Sequence, residues 1–340
     1  MKLNEMLLLS GQDVRSILIG RELSIVDVVR SAYQLHEEAL TSLPHSTFIY
    51  LPHDRSKRII ALPAFLGGNS QVAGLKWIAS FPSNREISLD RASAVIVLNS
   101  VKTGRPEAIL EGSIISAKRT AASACLAVTL IPDRARIEVI GIIGCGVINY
   151  EILRFLNMYL PTVRDVIIFD NNLANSEAFL SKIESEFSTY KVRVASKLRD
   201  LLGACQLISV ATSADAPHIN HIEDVLPGSK ILNISLRDFS PAFVRSCDNV
   251  VDDIDHVCRA ETSIDVAARE AGNRDFINCT LGQILRGKLD DRVRDSFPSR
   301  SVMFSPFGLG ILDLALADYV RTVALEQRIG RMFNDFFPVN

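Results

Sequence analysis

The six cysteines of this 340-residue chain (Cys125, Cys145, Cys205, Cys247, Cys258 and Cys279) include no CxxC pair and no histidine at zinc-finger spacing. Neither a disulfide framework nor a structural zinc site is signalled, and most of these residues are read as small buried apolar side chains. An excess of either charge is also missing. The 37 basic side chains are interspersed with 39 acidic ones, leaving no basic stripe to displace counterions from a nucleic acid. No stretch approaches the roughly 20 uninterrupted apolar residues of a membrane helix. The opening residues 1–20 carry Asn4, Glu5, Gln12, Asp13 and Arg15, which break up a signal-peptide core. The expectation is a cytoplasmic protein with neither nucleic acid nor membrane as partner. Internal repeats and low-complexity tracts are lacking too. What remains, 48% hydrophobic and 22% charged, is the composition of a folded globular chain. At roughly 100 to 200 residues per domain the length predicts two domains, each able to bury a core without staples.

Residues 24–40 (SIVDVVRSAYQLHEEAL) place Asp27 three positions after Ser24, a capping-box-like start, and then repeat apolar residues at helical spacing. Short β-rich runs follow at Ile59–Leu62, Ala73–Ala79 and Ala94–Leu98, separated by Gly, Pro, Asn and Ser clusters. Residues 113–130, Ala-rich and free of Gly and Pro, predict one long helix bridging two domains. From Ile137 strands and helices alternate. Strands are expected at Ile137–Ile143, Asp165–Phe169, Val192–Val194, Leu207–Ala211, Ile231–Ile234 and Val250–Val251, with helices from Val147 and over Leu173–Ser185. Buried apolar strands alternating with helices predict a parallel, doubly wound sheet of Rossmann type, because parallel strands need crossover helices on both faces. A last helix, Ile311–Leu325, follows the Pro- and Gly-bearing loop Ser305–Gly310 and is expected to pack back on the first domain. The fold class is therefore α/β, with a second α+β domain.

The first strand of the doubly wound part ends in Gly141-Ile-Ile-Gly144-Cys145-Gly146-Val147-Ile148-Asn149, a GxGxx(G/A) fingerprint with Asn in the third place. A strand precedes it, a helix follows, and a second strand ends at Asp170, 170 − 146 = 24 residues beyond the second glycine. Gly144 makes the tight turn, Gly146 admits a pyrophosphate, and the helix N-terminus offers N–H groups to the anion. Asp170 is placed to accept from the adenosine ribose hydroxyls and to repel a 2′-phosphate, so NAD is favoured over NADP. Asn149 stands where a small residue lets helix and strand approach, and is expected to hold the helix slightly away. The bland alternative is a doubly wound domain that binds no nucleotide.

Three cations lie within or beside apolar segments: Lys76 in AGLKWIASFP, Arg119 in KRTAASA, and Arg58 before IIALP. Buried cations are costly unless paired. Lys76 either faces inward or points to solvent from a half-exposed strand. Arg119 is either a site residue or a helix-face salt bridge, and Arg58 either a site residue or a solvated strand entry. Asp238, in SLRDFSP, falls just past the carboxyl end of a parallel strand, the edge where open α/β sheets hold ligands. A carboxylate there either holds an ammonium or activates water, or it is a loop or helix-cap residue. His256 reads as a lone histidine, and His218 and His221 form no recognisable metal pair.

Together GLKWIASFP (74–82), RASAVIVLN (91–99), TGRPEAILEGSIISAKRTAASA (103–124), IIGCGVIN (142–149), LNISLRDFSP (232–241), VVDDIDHVCRAETS (250–263) and FSPFGLGILDLA (304–315) resemble the ornithine cyclodeaminase/μ-crystallin superfamily, over nearly the whole chain and in matching order. Within it, SLRDFSP, VDDIDHVCRAETS and SPFGLGILDLA are most similar to the branch of N-(2-amino-2-carboxyethyl)-L-glutamate dehydrogenases, which make 2,3-diaminopropionate for siderophores or peptide natural products. The resemblance implies that Lys76 and Arg119 grip a substrate carboxylate, with Arg58 and Arg237 as further substrate-binding candidates. It implies Asp238 as the catalytic carboxylate, assisted by Lys76. NAD would be held by Arg119, Thr120, Gly144, Gly146, Val147, Ile148, Asp170, Thr212, Ser235 and Gly308. It also implies a split substrate and dimerisation domain, 1–125 with 313–340, around an NAD-binding domain at 126–312, and a homodimer formed through the first domain's sheet. The substrate would be a small amino acid, supplied by a pyridoxal-phosphate-dependent synthase. No metal is expected. Ornithine cyclodeaminases approach their Asp through glycines, whereas this chain reads Ser235-Leu236-Arg237, so the surroundings of Asp238 should differ. Ornithine cyclodeamination, alanine dehydrogenase or ketimine reductase activity, and a non-catalytic μ-crystallin-like binding role remain the alternatives.

Overall fold

The computed structural model describes residues 4–69, 71–130, 136–297 and 300–338. The chain divides into two compact units, one of residues 1–119 with 308–340 and the other of residues 120–307. The division falls inside the helix Ser113–Leu130, six residues before the 125/126 cut that the sequence suggested, and again at Phe307/Gly308 rather than 312/313.

The first unit holds a mixed sheet whose strands, among the described residues, run in the order Arg331–Phe333, Met6–Leu9, Pro106–Glu111, Ala92–Asn99, Val72–Ser80, Asp54–Leu66 and Thr41–Ser42, with Thr47–Leu51 also on Asp54–Leu66. The three runs seen in the sequence are thus the centre of a larger sheet. Its edge strands carry little sequence signal, being short or, like Met6–Leu9, apolar without alternation. Alternation decides which side is core. Ile60, Leu62 and Ala64 share a face with Val72, Lys76, Ile96 and Leu98, and the helices Glu22–Glu37 and Gly310–Gln327 cover it. The first of these helices starts at Glu22, with Arg21 as N-cap and no side-chain cap, so Ser24 lies within the helix and the expected capping box is not formed. Real capping boxes occur at Ser10/Asp13 and Thr280/Gln283.

The second unit is an all-parallel sheet in the order Lys191–Val194, Asp165–Phe169, Val139–Ile143, Leu207–Val210, Lys230–Asn233, Val302–Ser305, Asp248–Val251 and Ile277–Thr280. This is the doubly wound arrangement the alternation predicts, with two further strands, Ile277–Thr280 and Val302–Ser305, beyond the expected ones. Chain direction around the sheet reverses between Val139–Ile143 and Leu207–Val210, which defines the switch point where such sheets bind ligands. Ile143, Ile208, Ile231, Phe239, Phe243 and Met303 belong to one buried cluster that makes this platform rigid. Five of the six cysteines are buried and the sixth, Cys145, is half-buried. Among the described residues no helix is long and apolar enough to cross a membrane.

Candidate active site

In the first unit, Lys76 reaches the inner face of its strand and is only 2% exposed. Its Nζ donates to Asp313 Oδ2 at 2.7 Å and to Ser116 Oγ at 3.2 Å. Arg119 Nε donates to the other oxygen, Asp313 Oδ1, at 3.1 Å. Three elements therefore converge: a strand brings Lys76, the helix Ser113–Leu130 brings Ser116 and Arg119, and the first turn of Gly310–Gln327 brings Asp313. Burial excludes the solvent-facing reading of Lys76, whereas Arg119 does form a salt bridge, with a buried carboxylate on another helix. Two buried cations thus converge on one carboxylate, a cation-rich cluster of the kind that receives an anionic ligand. Burial opposes ionisation of Asp313, but Arg119 and Lys76 outweigh it and hold its carboxyl below the usual range. Burial, aided by Arg119 and opposed by Asp313, pushes the Lys76 ammonium down to about 8.

Gly308 packs against the same guanidinium. Its φ is +93°, a conformation that favours glycine, and a Cβ there would stand 2.9 Å from Arg119 Nη1, so a larger residue would have to displace the guanidinium. Arg58 is half-buried on the same sheet face. It pairs with Ser80, four residues along its strand from Leu62, the neighbour of Lys76. That separation is about 13 Å, so Arg58 stands outside the trio.

In the second unit, Gly144 ends the strand Val139–Ile143 with φ +90°, and a Cβ there would lie 2.4 Å from Ala211 O. The helix Val147–Tyr159 starts beyond it with Gly146 as N-cap and no side chain capping it. Val147 at its start is exposed and Ile148 half-buried. The cradle matches a dinucleotide: glycine where only glycine fits, and a helix N-terminus not claimed by a capping side chain. Asp170 lies against this loop, accepting from Cys145 N and from Asn172 N, each at 2.9 Å, and from Asn175 Nδ2 at 3.1 Å. Asn149 corrects its expectation. Its amide is fully buried and donates to Ile143 O at 2.8 Å and Gly144 O at 2.7 Å while accepting from Ser209 Oγ at 2.7 Å. Instead of holding the helix away, Asn149 fastens it to the loop and to the neighbouring strand.

Asp238 follows the strand Lys230–Asn233 and is completely buried. Its Oδ1 accepts from Thr212 Oγ1 and lies 3.0 Å from His218 Nε2, and its Oδ2 accepts from Ser235 Oγ at 2.5 Å. The hydroxyls of Thr212 and Ser235, expected at the cofactor, are therefore bonded to Asp238. Burial raises the Asp238 carboxyl, but bonds from His218, Ser235 and Thr212 outweigh it and keep it ionised. The preceding Leu236 has φ +69°, a conformation that favours glycine, and its carbonyl accepts from Ser263 N at 2.6 Å. Arg237 Nη2 donates to Ala260 O at 2.7 Å, so the guanidinium braces the Asp238 loop against the segment 257–263. Thr120 begins this unit and is half-buried.

Three participants, Ser116, Asp313 and His218, lie outside the sequence expectations. Asp313 had a signal: a carboxylate in the apolar run GILDLALA is as anomalous as Lys76 in its strand. His218 had none, because it lies twenty residues before Asp238 and meets it only through the bridge of Ile219 with Phe239.

The sequence profile of the ornithine cyclodeaminase/mu-crystallin family matches residues 12–328. The chain is 28% identical over 312 residues to the N-((2S)-2-amino-2-carboxyethyl)-L-glutamate dehydrogenase of Staphylococcus aureus, covering 87% of this chain and 91% of the relative. Among solved structures, an archaeal alanine dehydrogenase dimer with bound NAD superposes with a TM-score of 0.86 at 25% identity, covering 98% of this chain and 100% of the other. The Thermococcus litoralis Delta(1)-pyrroline-2-carboxylate reductase, in complex with NADH and L-proline, gives 0.87 at 24% identity, covering 96% and 99%. With the profile spanning nearly its whole length, this chain belongs to the ornithine cyclodeaminase/mu-crystallin family.

Proposed function

We propose that the protein is an NAD-dependent oxidoreductase acting on the CH–NH bond of an amino acid, and that its substrate is N-(2-amino-2-carboxyethyl)-L-glutamate. The buried trio of Lys76, Arg119 and Asp313 carries the reading, because two cations sharing one carboxylate favour a second, substrate carboxylate. In support stand the Gly144–Gly146 cradle, Asp170 beside it, and the 28% identical relative of that activity. Gly144, Gly146, Val147 and Ile148 would hold the pyrophosphate and Asp170 the ribose, and NAD when bound supplies the hydride acceptor. Lys76 and Arg119 orient the substrate by its carboxylate, and the Asp238 cluster manages the amine proton and the attacking water. The balance is adduct, NAD and water giving 2-oxoglutarate, L-2,3-diaminopropionate, NADH and a proton. A pyridoxal-phosphate-dependent synthase would supply the adduct in the cytoplasm, and the products would feed siderophore or peptide assembly.

Residues 1–119 with 308–340 would be the substrate unit and 120–307 the cofactor unit. We also propose a homodimer through the sheet of the first unit. Its outward face bears Ile59, Leu75, Trp77, Val95 and Val97, with Trp77 41% and Val95 42% exposed and the other three partly buried, an apolar patch suited to a second copy.

Purified protein with NAD and the adduct should generate NADH fluorescence, with ornithine and alanine as controls. Ornithine turnover without net NADH, in the absence of adduct turnover, would replace this reading by cyclodeamination. NADH from alanine alone would replace it by alanine dehydrogenation.

A further inference from the structure

We propose that His218, oriented by Asp238, is the group that exchanges protons with the bound amine. This deepens the function proposed above and rests on it for the presence of an amine substrate. The His218 side chain is 34% exposed, whereas the carboxylate behind it is 0% exposed and holds three donors. A carboxylate so enclosed has no surface to offer a substrate, and the imidazole in front of it does.

The position of His218 is fixed at two levels. Its backbone N and that of Ile219 both donate to Asp238 O at 2.9 Å, and Ser240 N donates to Ile219 O at 3.0 Å. The 218–219 segment is thereby bound to the Asp238 loop as a short parallel bridge. Its side chain adds the 3.0 Å contact between Nε2 and Asp238 Oδ1. The loop itself is immobilised from its other side by Arg237 on Ala260 O and by Ser263 N on Leu236 O.

This geometry also assigns the tautomer. An ionised carboxylate only accepts, so Nε2 must carry the hydrogen, and in the neutral ring the lone pair is then on Nδ1. Nδ1 takes the proton: the substrate N–H bond breaks, the Nδ1–H bond forms, and the imidazolium is stabilised by Asp238 until it passes that proton to water. In the hydrolytic half the same nitrogen deprotonates the attacking water. Thr212 and Ser235 compensate the carboxylate so that it orients His218 without itself taking the proton. The logic is that of a nucleophile-free histidine–aspartate pair.

His218→Gln separates this from a merely structural role, because the Gln amide can still donate to Asp238 while lacking a base. The variants are compared on whichever amine the wild type oxidises, so failure of the adduct alone removes the substrate assignment and leaves this measurement intact. We expect kcat to fall by about 10²- to 10⁴-fold in His218→Gln, with NADH affinity within about twofold of wild type. We further expect His218→Ala to regain activity in proportion to added imidazole. A kcat for His218→Gln within about threefold of wild type, or an imidazole response no larger than that of the wild type, overturns the proposal and returns the proton transfer to Asp238.

Discussion

The carboxylate of Asp313 accepts a 2.7 Å hydrogen bond from Lys76 Nζ, with side-chain exposures of 0% and 2%. A strand residue and a helix residue 237 positions apart are thereby locked together beneath Arg119. Removing one partner of such a buried pair leaves the other charge without compensation.

Asp313→Ala should accordingly destabilise the protein by about 3–5 kcal/mol, since it strands two cations at once. Adding Lys76→Met should restore part of that loss by deleting one of them. Urea unfolding of both variants measures it, and a single variant as stable as wild type would show that the trio contributes nothing to the fold.

Substrate affinity should depend on pH through Lys76. Burial has pushed its ammonium down to about 8, against an ordinary 10.5. Below that value Lys76 is charged and attracts a carboxylate; as pH rises through it, the charge is lost and KM should climb by up to about tenfold per pH unit. Lys76→Arg stays protonated throughout, so KM measured from pH 6.5 to about 9.5 should lose this dependence in the variant. A similar rise in both proteins would assign the effect to the substrate amine.

Asn149→Ala should leave the carbonyls of Ile143 and Gly144 and the Ser209 hydroxyl without their partner, at about 1–3 kcal/mol for a buried group so stranded. NADH binding should weaken with it, because the bonded carbonyls belong to the cofactor loop. In a double-mutant cycle Ser209→Ala should couple to it by about 0.5–3 kcal/mol. Strict additivity of the two changes would mean that the buried amide is not the link.

Asp170→Ala should cost about 10- to 100-fold in NAD affinity, the scale of hydrogen bonds to a charged acceptor, and far less in NADP affinity. The ratio of the two dissociation constants is the readout. An unchanged ratio would show that discrimination arises elsewhere.

Much of this was legible in the sequence because local rules govern it. Continuous apolar runs alternating with helices specify a parallel sheet regardless of detail, and Gly144-Cys145-Gly146 is a turn that only its own backbone dictates. Anomalies were legible as well: Lys76 amid AGLKWIA and Arg119 amid alanines stand out as cations that need compensation if they are buried, and the sequence leaves open whether they are. The identity of the compensator was not legible, because Asp313 meets them only after a helix from the far end of the chain packs on the sheet. The role of Asn149 is hidden from local pattern for a related reason. By size it belongs away from a strand, and only the buried Ser209 hydroxyl and two strand-end carbonyls turn its amide into an anchor. The sequence by itself determined the cofactor cradle and the doubly wound class of the second unit, which follow from turn chemistry and periodicity. The tertiary structure alone decided which charges neutralise one another, that Arg237 braces a loop, and that His218 stands in front of Asp238, since these contacts depend on long-range burial that no local pattern encodes.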